Sequence, residues 1–181
     1  MKKIWAFHTS NELVRAESQP RTPDQYGALN GLIAIDPGKS VGWSFHSKDG
    51  VEAFGFVDAG DKYEGNCLLF AESIMRACPP SRVGIEESSI FAGCFANKTP
   101  IEVAAIFRAM AQNEGVEILK AAPSSVKKFL GDGRMKKGMV RKVVQERCPD
   151  LPKKYPHNGK ERVWPFHIYD SIALGMYLSS R

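Results

Sequence analysis

Acidic residues end two apolar segments of this sequence. Asp36 follows "LIAI" and Glu86 follows "RVGI". A carboxylate in such surroundings has to be ion-paired, hydrated or bound to a metal, because burying an unpaired charge is costly. Further along, "FHIYD" places His167 and Asp170 three residues apart, so both project from the same face of a helix. These four side chains are the candidates for chemistry in this chain.

Carboxylates that come from separate elements suit a hard divalent cation. Mg²⁺ takes few protein carboxylates and leaves positions for substrate phosphate oxygens. Two such ions about 3.5 to 4 Å apart can orient an attacking water and stabilise the leaving oxygen of a phosphodiester. The structural alternative is that Asp36 and Glu86 each cap a strand at the surface, and that His167 and Asp170 only begin a helix, where the macrodipole favours an acid. The combination of all four favours the metal site.

The residues Gly38-Lys39-Ser40 suggest a second chemistry, a nucleotide phosphate loop. That motif requires a glycine five positions before Gly38, where this sequence has Ile33. It also requires a following helix to receive the phosphates, whereas "VGWSF" is typical of a strand. A Walker-type ATPase is therefore disfavoured.

The elements that would position the four candidates alternate between strands and helices. "LIAID", "VGWSFHS" and "VEAFGFVDA" predict three strands, the last two joined by a hairpin turn at Asp49-Gly50. A helix over residues 63–77, a strand at "RVGIEES", a helix from Thr99 to about Asn113 and a short strand at "VEIL" follow. The pattern predicts an α/β fold with a mixed sheet, in which an antiparallel three-strand meander is followed by parallel strands and helices cover both faces.

The two ends of the chain are less regular. After "VEIL" we predict a short helix from about Ser124, a glycine loop, a helix from about Lys136 to Cys148, a basic loop rich in Pro and Lys, and a final helix from Phe166 to Leu178. Residues 1–30 are polar and carry no periodicity, so we expect a flexible lead-in with a short strand at most. The folded domain is expected over residues 31–181.

Positive charge is concentrated late in the chain. The net charge is +5, but residues 120–162 hold 13 basic and 4 acidic residues, which leaves 12 basic and 16 acidic residues elsewhere. Such a run is ordinarily a solvated surface. Beside a phosphodiester-cleaving site it would also bind the phosphates of a nucleic acid.

The remaining composition excludes several classes of protein. The four cysteines form no C-x-x-C pair and no zinc-binding spacing, and are expected to be reduced thiols. No stretch approaches the roughly 18 to 20 apolar residues of a membrane span. We expect an intracellular protein, cytoplasmic or associated with the nucleoid, an organelle or a phage-infected cell being the alternatives.

Four motifs in order resemble the RuvC family of Holliday junction resolvases, nucleases of the RNase H-like superfamily. "IDPGKSVGWSF" is similar to that family's first strand and turn, with Asp36 at its first metal-binding acid. "GIEES" is similar to its second acidic strand and points to Glu86 rather than Glu87. "HIYDSIALGMYL" is similar to its final helix, with Asp170 as the last acid. His167 stands where many members carry Asp and some carry His.

The fourth motif, "SVKKFLGDGRMKKGMV", resembles the family's lysine, glycine loop, second lysine and helix. Lys127 and Lys137 take the places of its two functional lysines. The loop is one residue shorter here, so Lys128 or Lys136 could instead be an equivalent. The resemblance covers about residues 32–178.

The resemblance implies an RNase H-like fold and a homodimer that cuts two opposed strands of a four-way DNA junction by paired, symmetric nicks. It implies two Mg²⁺ ions per site, with Mn²⁺ expected to substitute. The ligands implied are Asp36, Glu86, His167 and Asp170, which act with Lys137 in catalysis. The residues expected to contact DNA are Lys127, Lys128, Arg134, Lys136, Lys137, Arg141 and Phe91, where Phe91 or Phe95 would supply the family's junction-stacking aromatic.

Three other functions compete with a crossover junction endonuclease. A related nuclease could act on flaps, forks or RNA strands, since phosphate contacts position a protein without naming the structure it prefers. An actin-like or sugar-kinase ATPase also ends its first strand in an Asp-x-Gly turn, but it needs two such subdomains and 181 residues hold one. A DNA-binding module without catalysis would not need all four candidate ligands.

Overall fold

The computed structural model describes residues 5–7, 31–38, 40–58, 63–87, 98–157 and 160–181. The described strands are β1 (Trp5–Phe7), β2 (Leu32–Asp36), β3 (Ser40–Ser47), β4 (Gly50–Asp58), β5 (Arg82–Glu86), β6 (Glu117–Ala121), β7 (Lys154–His157) and β8 (Lys160–Val163). The described helices are α1 (Tyr63–Ala77), α2 (Lys98–Asn113), α3 (Pro123–Leu130), α4 (Lys137–Arg147) and α5 (Phe166–Ser179).

Six of the described strands form one mixed sheet, in the order β1-β4-β3-β2-β5-β6. Strands β2, β3 and β4 pair antiparallel, while β5 is parallel to β2 and β6 is parallel to β5. Gly50 has a φ of 99° at the turn between β3 and β4, a conformation that glycine adopts without steric cost. The predicted meander followed by parallel strands is therefore confirmed.

The N-terminal segment contributes one described strand to this sheet. β1 pairs in parallel with β4 at the sheet edge. A short strand was the most that the first 30 residues predicted. The domain boundary at residue 31 stays a prediction.

Helices cover both faces of the sheet, as predicted. Alternate strand residues, among them Ile33, Ile35 and Trp43, pack with residues of α1 and α2 in one apolar cluster. Their neighbours along the strands, such as Leu32 and Ala34, pack with residues of α3, α4 and α5 in a second cluster. The period-2 alternation of β-strands thus divides the core into two layers with the sheet between them.

The region between α4 and α5 differs from the predicted loop. It contains an antiparallel hairpin, β7–β8. Tyr155 on β7 is buried, and its ring stacks on Trp164 with centroids 4.5 Å apart. Short strands that carry Pro156 and several charges show no apolar alternation, so the packing of Tyr155 on Trp164 and on the distant Phe56, rather than local pattern, stabilises this hairpin.

Helix α5 lies against the centre of the sheet, and eight of its 14 residues are buried. Two glycines of the sheet and one of the helix permit the close contact. A Cβ at Gly42 would overlap the backbone carbonyl of His167, one at Gly84 would meet the end of the Leu178 side chain, and one at Gly175 would overlap the ring of His46. The helix is shorter than a membrane span, and none of the described helices is long and apolar enough to be one.

The two strand glycines should respond differently to substitution. Gly42→Ala places a methyl group against helix backbone that cannot rotate away, and we expect it to lower the free energy of unfolding by about 1–3 kcal/mol. Gly84→Ala meets a side-chain terminus that can change rotamer, and a strand Ala regains about 0.5–1 kcal/mol over Gly, so a change under about 1 kcal/mol is expected. Urea unfolding measures both. Equal losses, or a larger loss at Gly84, would contradict this account of the close contact.

Candidate active site

Asp36 and Glu86 are brought together by strand register. Strands β2 and β5 are parallel with Ile35 opposite Ile85, and each acid is the next residue along its strand. Neighbouring strands lie about 4.8 Å apart, so side chains at equivalent positions on one face are close. Asp36 is two residues beyond Ala34, and Glu86 is two residues beyond Gly84. Each acid therefore lies on the same face of the sheet as that residue, the face that α5 covers. Asp36 is only 8% exposed.

His167 reaches Asp36 from the first turn of α5. The His167 Nδ1 and Asp36 Oδ2 atoms are 3.1 Å apart, within hydrogen-bonding distance. Gly42 pairs with Asp36 across β2 and β3, and it is the residue whose missing side chain makes room for the His167 backbone. A glycine on β3 therefore sets how closely the helix start approaches the carboxylate on β2.

Asp170 lies one turn further along α5, with its side chain 13% exposed. The Lys137 Nζ atom, at the start of α4, is 3.4 Å from the Asp170 Oδ2 atom. The Lys137 side chain remains 56% exposed. The Lys137 ammonium group thus contacts the largely buried Asp170 carboxylate, while the exposed part of the Lys137 side chain remains accessible to a ligand from solvent.

The neighbouring carboxyl groups of the site oppose one another's ionisation. Burial, followed by the negative charges of Asp36 and Asp170, raises the pKa of Glu86 from 4.5 to about 8 against the opposing effect of Lys127 and Lys137. Burial and the charge of Asp36 also raise the pKa of Asp170, although Lys137 and His167 oppose this. Burial and the neighbouring carboxylates therefore outweigh the two lysines at Glu86, which keeps its proton up to about pH 8.

Lys127 belongs to the same site. A small cleft of about 10 Å³ is lined by Glu86, Lys127 and Asp170 together with residues of α3, α4 and α5. That space admits about one water molecule. Lys128 is exposed and does not line the cleft. Lys136 precedes α4, and among the described residues it is Lys137 that pairs with Asp170. The placement therefore favours Lys127 and Lys137 among the alternatives that the sequence left open.

Arg134 and Arg141, which are also expected to contact DNA, lie in different surroundings. The Arg134 backbone N–H donates to Asp132, and the Arg134 side chain is almost fully exposed. The Arg141 guanidinium lies over the rings of Phe166 and Tyr169, 5.5 and 5.2 Å from their centroids.

Three residues of interest in the sequence lie outside the described ranges: Lys39 of the first motif, and Phe91 and Phe95, the candidates for the stacking aromatic. The stacking role expected of Phe91 or Phe95 stays a prediction.

The donor types fit a hard cation such as Mg²⁺, because the carboxyl groups of Asp36, Glu86 and Asp170 lie close enough to influence one another's pKa. Within the described ranges, no three His, Cys, Asp or Glu side chains are arranged to hold an ion by themselves. A site of this kind would have to be completed by water and by substrate oxygens, as is usual for Mg²⁺. Gly42, the residue that positions His167, was missed from the sequence, although a glycine inside a strand often marks close backbone approach.

Solved structures share this architecture. RuvC of Thermus thermophilus superposes with a TM-score of 0.65 at 18% identity, covering 82% of this chain and 93% of that one. The same protein in complex with a Holliday junction substrate gives 0.63 at 17% identity, with 83% and 92% covered. The yeast mitochondrial Holliday junction resolvase Ydc2 gives 0.56 at 12% identity, with 93% and 83% covered.

Neither a protein-family model nor a curated protein matches the sequence. The structural similarity shows that the chain has a RuvC-like fold of the RNase H-like type. The resemblance inferred from the motifs is thereby confirmed for the fold.

The raised pKa of Glu86 predicts how stability depends on pH when no metal is present. Between about pH 4.5 and 8 the folded protein keeps a proton on Glu86 that the unfolded chain releases, so the free energy of unfolding falls as pH rises through this window. Each pKa unit corresponds to about 1.4 kcal/mol, which gives a loss on the order of a few kcal/mol. Glu86→Gln should remove most of it, as measured by urea unfolding with a chelator at pH 5 to 8.5.

Glu87→Gln is the matched control, because it makes the same chemical change one residue further on. Glu87 is exposed, with Oε1 3.9 Å from Lys120 Nζ. The control should keep the pH dependence of the unsubstituted protein. If Glu86→Gln kept it too, Glu86 would not be the group that the site holds protonated.

Proposed function

We propose that this chain is a Mg²⁺-dependent endonuclease that resolves four-way DNA junctions. The observation that carries the proposal is the convergence of Asp36, Glu86 and Asp170, with His167 beside them, at the carboxyl ends of β2 and β5. Two lysines flank this acidic centre. Carboxyl groups next to basic side chains suit a cation and a phosphodiester together.

Asp36, Glu86, His167 and Asp170 would hold the metal ions, two per site. When bound, the ions would supply an activated water and neutralise charge on the phosphate oxygens. The side chains of this chain have separate tasks. Asp36 orients the His167 imidazole through the 3.1 Å contact, and Lys137 holds Asp170 at 3.4 Å. Lys127 and Lys137 would stabilise the negative charge that grows on the phosphate in the transition state.

The choice of a DNA junction as substrate rests on the fold and on charge. One structure with this fold is of a protein in complex with a Holliday junction substrate, and another is of a Holliday junction resolvase. The basic residues 120–162 include both lysines of the site, so phosphates along a DNA arm would meet positive charge. A four-way junction has two-fold symmetry, which a homodimer with one site per subunit would match and cut symmetrically.

A synthetic four-way junction, labelled in turn on each strand and incubated with Mg²⁺, tests the proposal. We expect paired nicks at symmetric positions on two opposed strands. Replication forks, flaps, linear duplexes and RNA–DNA hybrids serve as competing substrates. Preferential cutting of any of these, or an uncut junction, would overturn the proposed specificity.

Asp36→Asn and Asp170→Asn belong in the same assay. Each should lower the nicking rate by about a hundredfold to a thousandfold, the usual effect of losing one group that acts on the transition state. Junction binding in a mobility-shift assay should persist, because neither carboxylate attracts phosphate. Asp150→Asn, at an exposed position, is the control and should cut normally. Normal cutting by Asp36→Asn would exclude the assigned site.

A further inference from the structure

The hairpin β7–β8 forms a two-stranded ribbon, described over residues 154–157 and 160–163. Of the ribbon side chains that the structure describes, only Tyr155 is buried. Its ring stacks on Trp164 and meets Phe56 edge-on, with centroids 5.7 Å apart in the second contact. A two-stranded ribbon is marginally stable at best alone in water, so this aromatic contact fixes its position while the other described side chains of the ribbon lie in solvent.

The register of the ribbon assigns its side chains to two faces. Directly opposed residues of an antiparallel pair share a face, and successive residues alternate. Tyr155 is opposite Arg162, and Lys160 has the same parity as Arg162. Lys154 is opposite Val163 and Glu161 is opposite Pro156, so these residues lie on the other face. We call the first of these the Tyr155 face.

The two faces differ in charge. The Lys154 Nζ and Glu161 Oε2 atoms are 3.0 Å apart, which neutralises the face opposite Tyr155. Lys160 and Arg162 are exposed, and neither has an acidic group of the described residues within salt-bridge distance. The Tyr155 face therefore presents two uncompensated positive charges.

The ribbon ends a short distance along the chain from the candidate active site. Val163 ends the ribbon and is four residues before His167. An extended chain spans at most about 3.5 Å per residue, so the ribbon ends within about 14 Å of the site, the rise of about four base pairs. Lys160 and Arg162, two residues apart on a strand, are separated by about 7 Å, the rise of about two nucleotides.

We propose that Lys160 and Arg162 bind phosphates of the duplex arm whose scissile phosphate lies at Asp36. The inference rests on the proposed function and extends it, because it assigns binding of the duplex arm to the Tyr155 face of the hairpin. Arginine suits this role through its planar fork of donors, and lysine acts as a point charge. The ribbon is the element that the sequence presented as a structureless basic loop.

The test compares two double variants that remove the same charge. Lys160→Gln with Arg162→Gln removes the two uncompensated cations of the Tyr155 face. Lys142→Gln with Lys154→Gln removes two exposed cations that have acidic partners, Lys142 being 3.9 Å from Glu146. Binding of a synthetic four-way junction is measured from 50 to 300 mM salt without divalent metal, and thermal unfolding confirms that each variant is folded.

Each phosphate contact contributes about 0.9 to the slope of log binding constant against log salt. The first variant should therefore bind more weakly, with a slope shallower by about 1.8, while the control should change the slope by less than half of that. Equal changes in both variants would reduce the effect to net charge and overturn the inference, and so would an unchanged slope in the first. If the wild-type protein bound the junction but nicked no strand, the proposed function would be wrong. The comparison of the two double variants would still test the role of the ribbon.

Discussion

The close contact between helix α5 and strand β3 at Gly42 is the constraint on which the candidate site depends. Gly42 lies opposite Asp36 in the sheet, and the His167 backbone passes through the space that a side chain would fill. The same approach delivers Asp170 one turn later, to the side of the sheet where Glu86 lies. Asp36 and Glu86 end two strands of the sheet, and His167 and Asp170 lie near the start of α5. The two pairs form one site only because Gly42 permits the close contact between the helix and the sheet.

Bringing the acids together has an electrostatic cost. Burial and the charges of Asp36 and Asp170 raise the pKa of Glu86 to about 8, and the apolar packing of α5 on the sheet has to offset that repulsion. Lys137 and Lys127 relieve it in part. A bound cation would relieve the rest, which couples metal binding to the stability of the folded state. Without a cation, the cluster instead keeps a proton on Glu86.

Much of this arrangement could be predicted from local patterns. The apolar strands, the Asp49-Gly50 turn and the helical spacing of the last segment each depend on neighbouring residues, and the order of elements followed from them. Asp36 and Glu86 could be identified as site candidates because a carboxylate at the end of an apolar segment has to be ion-paired, hydrated or bound to a metal. A parallel strand carrying Glu86 was part of the predicted fold, but its pairing with β2, which makes the two acids neighbours, was not predicted.

The features that escaped prediction depend on contacts between distant residues. Tyr155 stacks on Trp164 and packs on Phe56, and without that packing the ribbon sequence is typical of a loop. Lys127 and Lys128 are adjacent in sequence, and only the orientation of α3, set by the burial of Val126 and Leu130, turns Lys127 toward Glu86. The role of Gly42 followed from the path of a helix that begins 124 residues later in the chain.

The central claim is that these acids hold a divalent cation, and a crystal of the protein soaked in Mn²⁺ tests it most directly. Anomalous difference density identifies the ion without reliance on activity or on DNA. The account predicts density in contact with Asp36 and with at least one of Glu86 and Asp170, and loss of that density in Asp36→Asn. Density confined to other parts of the surface, or none at millimolar Mn²⁺, would contradict it.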